Sequence, residues 1–129
     1  MLAFATMKLP ADPTVTAPDG SDVRVLLSLP RGSMAHFELA AGKTSAAIEH
    51  RTVEELWFVL GGKAEMWRAN ATHQEVQVLQ AGTSLSIPVG TKFQFRSLGP
   101  EPFRAVGVTM PSWPGNDEAL FVPGPWQPS

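Results

Sequence analysis

Proline and glycine interrupt this chain so often that long helices have no room to form. The 129 residues include 12 prolines and 11 glycines, and proline breaks a helix interior because it lacks an amide donor. Turn sequences such as Ala81-Gly82 and Pro88-Val89-Gly90 separate short apolar or alternating runs. Nine such runs have strand length: DVRVLLSLP, SMAHFELA, AAIEHR, ELWFVLGG, KAEMWR, QEVQVLQ, TSLSIP, KFQFRS and FRAVGVTM. They predict an all-β domain, either a sandwich or a barrel.

Length and charge narrow the class of protein. A chain of 129 residues is expected to form one domain over residues 1–129, and it contains no cysteine for disulfides, thiolate catalysis or cysteine-based zinc sites. The formal net charge of −2 favours neither nucleic acid nor an anionic membrane as a partner. The apolar stretch Met1–Met7 lacks the basic residues of a signal peptide and predicts a first strand or arm. We therefore expect a cytoplasmic protein.

The two ends of the chain differ from its middle. Residues 1–21 read as an N-terminal arm, and ADPTVTAPDGSD (11–22) is polar enough to predict irregular structure. Residues 111–129 are rich in proline and tryptophan, which disfavours both helix interiors and sheet ladders. This segment is expected to pack along the outside of a sheet or onto a partner subunit, with one short helical turn at Asn116-Asp117-Glu118.

The run Glu55–Leu60 indicates a strand that is covered on both faces. Because side chains alternate along a strand, Glu55 and Trp57 share one face with Val59, while Leu56, Phe58 and Leu60 share the other. A strand with one face in water would alternate apolar and polar residues. One face therefore belongs to the core, and the other predicts a homodimer contact or a cover formed by the C-terminal segment.

Two stretches resemble the conserved motifs of the cupin superfamily. The first motif, G-x5-H-x-H-x3,4-E-x6-G, is matched at Gly42, His50, Glu55 and Gly62, and the start of the second, G-x5-P-x-G-x2-H-x3-N, is matched by Gly82–Gly90. The resemblance covers about residues 22–110. It implies a double-stranded β-helix, a jelly-roll barrel of two facing sheets whose motif residues point inward.

The chain departs from the family at its metal ligands. Cupin metal sites usually take three histidines and one glutamate, but Ile48 occupies the first histidine position and Phe93 the third, and Ser97 replaces the final asparagine. Hydrocarbon side chains donate no lone pair, and zinc or non-haem iron sites need more ligands than one histidine and one carboxylate. The resemblance thus implies an incomplete ligand set of His50 and Glu55; a divalent transition metal remains an alternative, and no metal is the favoured expectation.

If no metal is bound, the same positions predict a ligand pocket. Ile48, His50, Glu55, Trp57, Phe93 and Phe95 are expected to line an apolar cavity that contains one polar pair. Three hypotheses follow. The favoured one is a module that binds a small organic ligand, with His50 and Glu55 as anchors or as a general acid/base pair. The others are a metal-dependent cupin enzyme (dioxygenase, isomerase or decarboxylase) with rearranged ligands, and an inert structural or partner-binding dimer whose barrel is filled.

The remaining candidates for the site have simpler interpretations. His36 is expected to point outward, because Ala35, Phe37 and Leu39 form the core set of its strand. His73 lies in a polar hairpin and is expected in solvent. Arg51 and Arg96 are expected at the surface, with a positively charged barrel mouth that favours an acidic ligand as the alternative.

Overall fold

The chain folds as two facing antiparallel sheets, which confirms the all-β prediction. The computed structural model describes residues 2–129; Met1 lies outside that range. The elements in chain order are β1 (Val15–Thr16), β2 (Asp22–Leu29), β3 (Gly32–Leu39), β4 (Ile48–His50), β5 (Glu54–Gly61), β6 (Lys63–Ala69), β7 (Gln74–Gln80), β8 (Ser84–Ile87), β9 (Lys92–Ser97), β10 (Phe103–Met110), a 3-10 turn (Asn116–Glu118) and β11 (Ala119–Phe121). Each of the nine predicted runs matches one of the strands β2 to β10 to within one or two residues at either end.

The strand order closes a barrel around one core. One sheet has six strands in the order β1-β2-β3-β10-β5-β8, and the other has five in the order β11-β4-β9-β6-β7. Consecutive strands repeatedly switch between sheets, which is the double-stranded β-helix that the motifs implied. The core between the sheets holds the largest buried side chains, among them Phe93, Phe95, Phe103, Met66 and Leu79.

Strand β5 shows the alternation expected from the sequence. Trp57 and Val59 are buried, whereas Leu56, Phe58 and Leu60 on the opposite face are 49%, 51% and 39% exposed. The edges of β5 pair with β10 and β8, and its inward face packs against the facing sheet, where Trp57 meets Phe93 and Phe95. Within residues 2–129 the outward face of β5 is therefore left partly open to solvent.

The closing glycine of the first motif is required by a close approach of two chain segments. Gly62 has a φ of +74°, and a Cβ built on it would lie 2.3 Å from the carbonyl oxygen of Pro102. A side chain at this position would suffer both the left-handed backbone penalty and a backbone clash. Gly62 therefore sets how the turn from β5 to β6 packs against the start of β10, and so how one sheet passes into the other.

The C-terminal segment packs on the five-stranded sheet. Strand β11 pairs with β4, and the guanidinium of Arg96 lies 4.3 Å from the centre of the Trp126 ring. The side chain of Gln94 donates to the carbonyl oxygen of Trp126 and accepts from its amide. The expected helical turn is present as the 3-10 turn. The segment lies on the sheet opposite to β5, so it does not cover Phe58.

The N-terminal region is more ordered than its composition suggests. Strand β1 pairs with β2 inside the stretch expected to be irregular, and the turn that follows buries Asp19. Residues 2–14 form no strand, so the N-terminus is an arm rather than a first strand. This arm runs past Arg24, whose side chain donates to the carbonyl oxygens of Pro10 and Ala11. No helix of residues 2–129 is long and apolar enough to cross a membrane.

Candidate functional site

An apolar cavity of about 260 Å³ lies inside the barrel, against the inner face of the six-stranded sheet. Its wall combines residues of both sheets with the segment before β2 and the segment after β10. Five of the six residues predicted to line a pocket do line it: Ile48, His50, Glu55, Trp57 and Phe93. The sixth, Phe95, is fully buried behind this wall, where its ring packs 5.2 Å from Trp57 and 5.7 Å from Phe103.

His50 and Glu55 face each other at one end of the cavity. His50 ends β4 and Glu55 lies near the start of β5, so the short turn between them returns the chain from one sheet to the other. Nδ1 of His50 lies 3.2 Å from Oε2 of Glu55, and both side chains are 4% exposed. The contact is not aligned as a hydrogen bond, which leaves His50 Nδ1 without a hydrogen-bond partner. The other carboxyl oxygen of Glu55 accepts from the indole N–H of Trp57 at 3.3 Å.

Burial decides the protonation of this pair. It raises the pKa of Glu55 to about 8, an effect that the Trp57 hydrogen bond opposes and the nearby charge of Asp19 supports. It lowers the pKa of His50 to about 4, although the carboxylate of Glu118 acts in the opposite direction. Both shifts favour the neutral form of each group, because the interior solvates charge poorly. At neutral pH the pair is therefore a protonated carboxyl beside a neutral imidazole.

Aromatic rings form most of the remaining wall. Trp57 stacks on Phe37 with ring centres 5.1 Å apart, and Phe93 meets Trp57 edge-on at 6.3 Å. Gly107 on β10 makes this stacking possible, because a Cβ there would lie 2.4 Å from the Phe37 ring and 3.1 Å from Cδ1 of Trp57. The imidazole ring of His50 lies edge-on to the Phe93 ring, with the ring centres 5.3 Å apart.

Two groups that sequence reasoning missed complete the site. Asp19 is buried and lines the cavity; its Oδ1 accepts from the amide and hydroxyl of Ser21 at 2.9 and 2.7 Å, and burial raises its pKa despite those bonds. Trp113 of the C-terminal segment lies 5.2 Å from His50 and closes one side of the cavity. Asp19 was hidden in a stretch whose polarity suggested a loop, and the only sequence signal for Trp113 was a tryptophan in a proline-rich tail.

Glu118 connects the C-terminal segment to the His50–Glu55 turn. It is buried, and it accepts hydrogen bonds from the amide and hydroxyl of Thr52 and, at 2.7 Å, from the amide of Val53. Burial opposes its ionisation, but these hydrogen bonds outweigh that cost and hold the pKa of Glu118 below its ordinary value. An ionised Glu118 thus fixes the turn between the two residues of the pair.

The other histidines and arginines lie away from the cavity. His36 is on the outer face of its sheet, as expected from strand parity, but it is 2% exposed rather than solvated, and neither ring nitrogen has a hydrogen-bond partner. The imidazole of His73 is 70% exposed in the β6–β7 hairpin. Arg51 is exposed, and Arg96 pairs with Glu65 at 2.8 Å. Neither arginine lines the cavity, so the alternative of a positively charged mouth finds no support.

The donor set does not fit the metal site that the family usually builds. Within residues 2–129, no group of three or more histidine and carboxylate side chains is close enough to hold one ion. Ile48 and Phe93, at the expected ligand positions, are buried and present only carbon to the cavity wall. His50 and Glu55 supply one nitrogen and one carboxylate donor, fewer than zinc or non-haem iron sites require.

The two facing sheets define a double-stranded β-helix, and the cavity lies between them. The sequence model of the cupin domain matches residues 35–109, which is more than half of the chain. The protein therefore belongs to the cupin family. A search of curated proteins found no match.

Solved structures with the same fold differ widely in what they are. A conserved uncharacterized protein of Klebsiella pneumoniae with a double-stranded β-helix domain is 25% identical, with a TM-score of 0.67 over 81% of this chain and 85% of that one. KdgF from Halomonas sp. is 17% identical, with a TM-score of 0.66 over 78% and 87%. The oxalate decarboxylase of Bacillus subtilis, which has Mn(II) centres, is 19% identical, with a TM-score of 0.66 over 78% of this chain and 28% of that one. The last two show the fold alone.

Proposed function

We propose that this cupin barrel binds a small organic molecule in its internal cavity, with His50 and Glu55 as the polar anchor. The observation that carries the proposal is a partly open apolar cavity of about 260 Å³ with a buried, incompletely hydrogen-bonded polar pair in its wall. Pockets for small molecules combine apolar walls with a few convergent polar groups in this way. An engineered apolar cavity of about 150 Å³ accepts benzene, so the space suits one ring with a short substituent.

Further polar groups are available for orienting such a ligand. Ser33 and Thr109, on the adjacent strands β3 and β10, share a short hydroxyl–hydroxyl hydrogen bond in the cavity wall. Ser33 also accepts from the amide of Trp113 at 2.9 Å, which ties the C-terminal segment to the rim. Asn116 lines the same side. A ligand seated against Trp57 would have these groups at its edge and His50 with Glu55 at its end.

The test is to fill the cavity and measure binding. Single-ring fragments are screened by NMR against the wild type, against Ala35→Phe, which places a ring in the cavity wall, and against Val76→Phe as a matched control. Val76 is half-exposed on β7, remote from the cavity. We expect fragments to bind the wild type and the control and to lose binding to Ala35→Phe. Equal binding to all three proteins would place the ligand elsewhere.

Proton transfer is a second candidate function, favoured by the raised pKa of Glu55 beside a neutral His50. A carboxyl with a pKa of about 8 is both a usable acid and a usable base near neutral pH. Hydrogen–deuterium exchange at carbon in a bound fragment, abolished in Glu55→Gln while binding persists, would support catalysis. Binding without exchange in the wild type would leave the barrel as a binding module.

We also propose a homodimer through the outward face of the six-stranded sheet. Leu56, Phe58 and Met34 are each more than 40% exposed on β5 and β3, the two strands that flank β10 in this sheet. Strand β11 of the C-terminal segment lies on the other sheet. A contiguous apolar sheet face of this kind is typical of an interface between copies. Sedimentation should give a dimer for the wild type and a monomer for Phe58→Asp. A monomeric wild type at all accessible concentrations would refute the proposal.

A further inference from the structure

On the basis of the proposed ligand site, we propose further that the ligand is a small organic cation, a protonated amine carried on an aromatic or compact aliphatic body. The balance of acidic and basic side chains that line the cavity points to this class of ligand. Two carboxyl groups line it, those of Asp19 and Glu55, and no lysine or arginine among the described residues does. The only other titratable group in the wall is His50.

The wall presents two carboxyl groups and one imidazole, and no lysine or arginine of residues 2–129 lies among them. Nδ1 of His50 is buried and has no hydrogen-bond partner, and it lies beside Oε2 of Glu55. Asp19 is 8% exposed and engages its Oδ1 with Ser21. An ammonium group carries three N–H donors and no acceptor. It therefore complements a neutral imidazole nitrogen beside the ionised carboxylate of Glu55. Binding of the cation at neutral pH would release to solvent the proton that the buried carboxyl otherwise holds.

Neither carboxyl group of the wall has a lysine or arginine partner among residues 2–129. Burial raises the pKa of Glu55 and of Asp19, and no cationic side chain opposes that effect on either. Buried carboxyls in stable structural roles are commonly paired or held ionised by several hydrogen bonds, as Glu118 is in this same protein. Asp19 has the amide and hydroxyl of Ser21 as partners for one oxygen, so a cation arriving with the ligand would chiefly supply Glu55 with a charged partner.

The apolar part of the wall suits an organic cation better than a bare ion. Trp57, Phe93 and Phe37 present rings around the cavity, and Trp113 closes its side. Cations are attracted to aromatic faces, and the attraction is greatest where water is excluded. The same wall disfavours an anion, because a carboxylate ligand would meet two acidic groups and no basic side chain other than a histidine whose pKa is depressed by burial.

The test compares three probes that share one ring and differ in charge: benzylamine, benzyl alcohol and benzoate. Affinities are measured at neutral pH by calorimetry or NMR titration for the wild type, Glu55→Gln, Asp19→Asn and the control Glu54→Gln, whose side chain is exposed on the other face of β5. We expect the wild type to prefer benzylamine to benzyl alcohol by about tenfold, the scale of one charge-assisted hydrogen bond. Benzoate should bind least.

The variants separate charge recognition from a general loss of structure. Glu55→Gln and Asp19→Asn should each reduce the preference for benzylamine over benzyl alcohol at least several-fold, because benzylamine loses more affinity than benzyl alcohol does, and Glu54→Gln should change neither affinity. Benzyl alcohol or benzoate binding as tightly as benzylamine would overturn the cationic ligand class and leave the proposed binding function intact. Failure of all three probes to bind would count against the proposed function itself.

Discussion

The buried carboxyl of Glu55 should make the protein less stable as the pH rises from 7 to 9. The pKa of Glu55 is raised from 4.5 to about 8 in the folded protein. In this pH range the unfolded chain has lost the proton while the folded chain still binds it, so the unfolded state binds fewer protons and the free energy of unfolding falls with pH. Integrating the proton difference between pH 7 and 9 gives a loss of about 1.4 kcal/mol.

Histidine titration has little effect on the free energy of unfolding between pH 7 and 9. The pKa of His50 is lowered to about 4 and that of His36 is also lowered, so each stabilises the fold as pH rises through the unfolded value near 6.5, and this contribution is nearly complete by pH 7. Asp19, whose pKa is raised by burial, acts with the same sign as Glu55. The net slope above pH 7 should therefore be negative.

Urea unfolding at several pH values measures the effect, with metal chelator present throughout. The wild type should lose about 1.4 kcal/mol between pH 7 and 9, which corresponds to a fall in the thermal midpoint of roughly 3–6 °C for a domain of this size. Glu55→Gln should lose most of this slope over the same range and retain only what Asp19 contributes, and Glu54→Gln should follow the wild type. A wild type whose stability is constant or rises above pH 7, or a Glu55→Gln variant with the wild-type slope, would refute the reasoning.

Two further substitutions test how the site is held. Glu118→Gln should lower the free energy of unfolding by about 2 kcal/mol, because charge-assisted hydrogen bonds to the amides of the Thr52–Val53 turn are replaced by weaker ones; denaturant unfolding measures this, and an unchanged midpoint would show that the contact is dispensable. Gly62→Ala should cost more than about 1 kcal/mol, because it adds a Cβ against Pro102 at a positive φ. A thermal midpoint equal to that of the wild type would mean that the turn relaxes freely.

Strand periodicity and turn residues, with the motif resemblance, were sufficient to predict the fold and the part of the cavity wall around His50 and Glu55. In Glu55–Leu60 the two-residue period alone indicates which side chains enter the core, and the spacing of His50 and Glu55 relative to Gly62 implies the barrel. Asp19 could not be found in this way, because its place in the wall depends on how a polar turn packs after the sheets close. Phe95 points inward like Phe93, but it is buried behind the cavity wall. Parity shows that a side chain points into the barrel, and it does not show whether that side chain reaches the cavity.

Burial of the turn containing Asp19 also shows why local composition misleads. The stretch 11–22 looks like a solvated loop, yet one amide and one hydroxyl from Ser21 satisfy the carboxyl and allow it to enter the interior. Likewise, proline in residues 111–129 correctly indicates irregular backbone but says nothing about which sheet the segment covers. That choice depends on long-range contacts such as Glu118 with Thr52 and Trp126 with Gln94.

A crystal structure of the protein grown with benzylamine tests the central claim most directly. The account predicts a ring in the cavity beside Trp57 and Phe93, with the ammonium nitrogen within hydrogen-bond distance of Glu55. A cavity closed by its own side chains, or a ligand bound on the outer face of either sheet, would contradict it. So would a transition metal held by His50 and Glu55 in the place of the ammonium group.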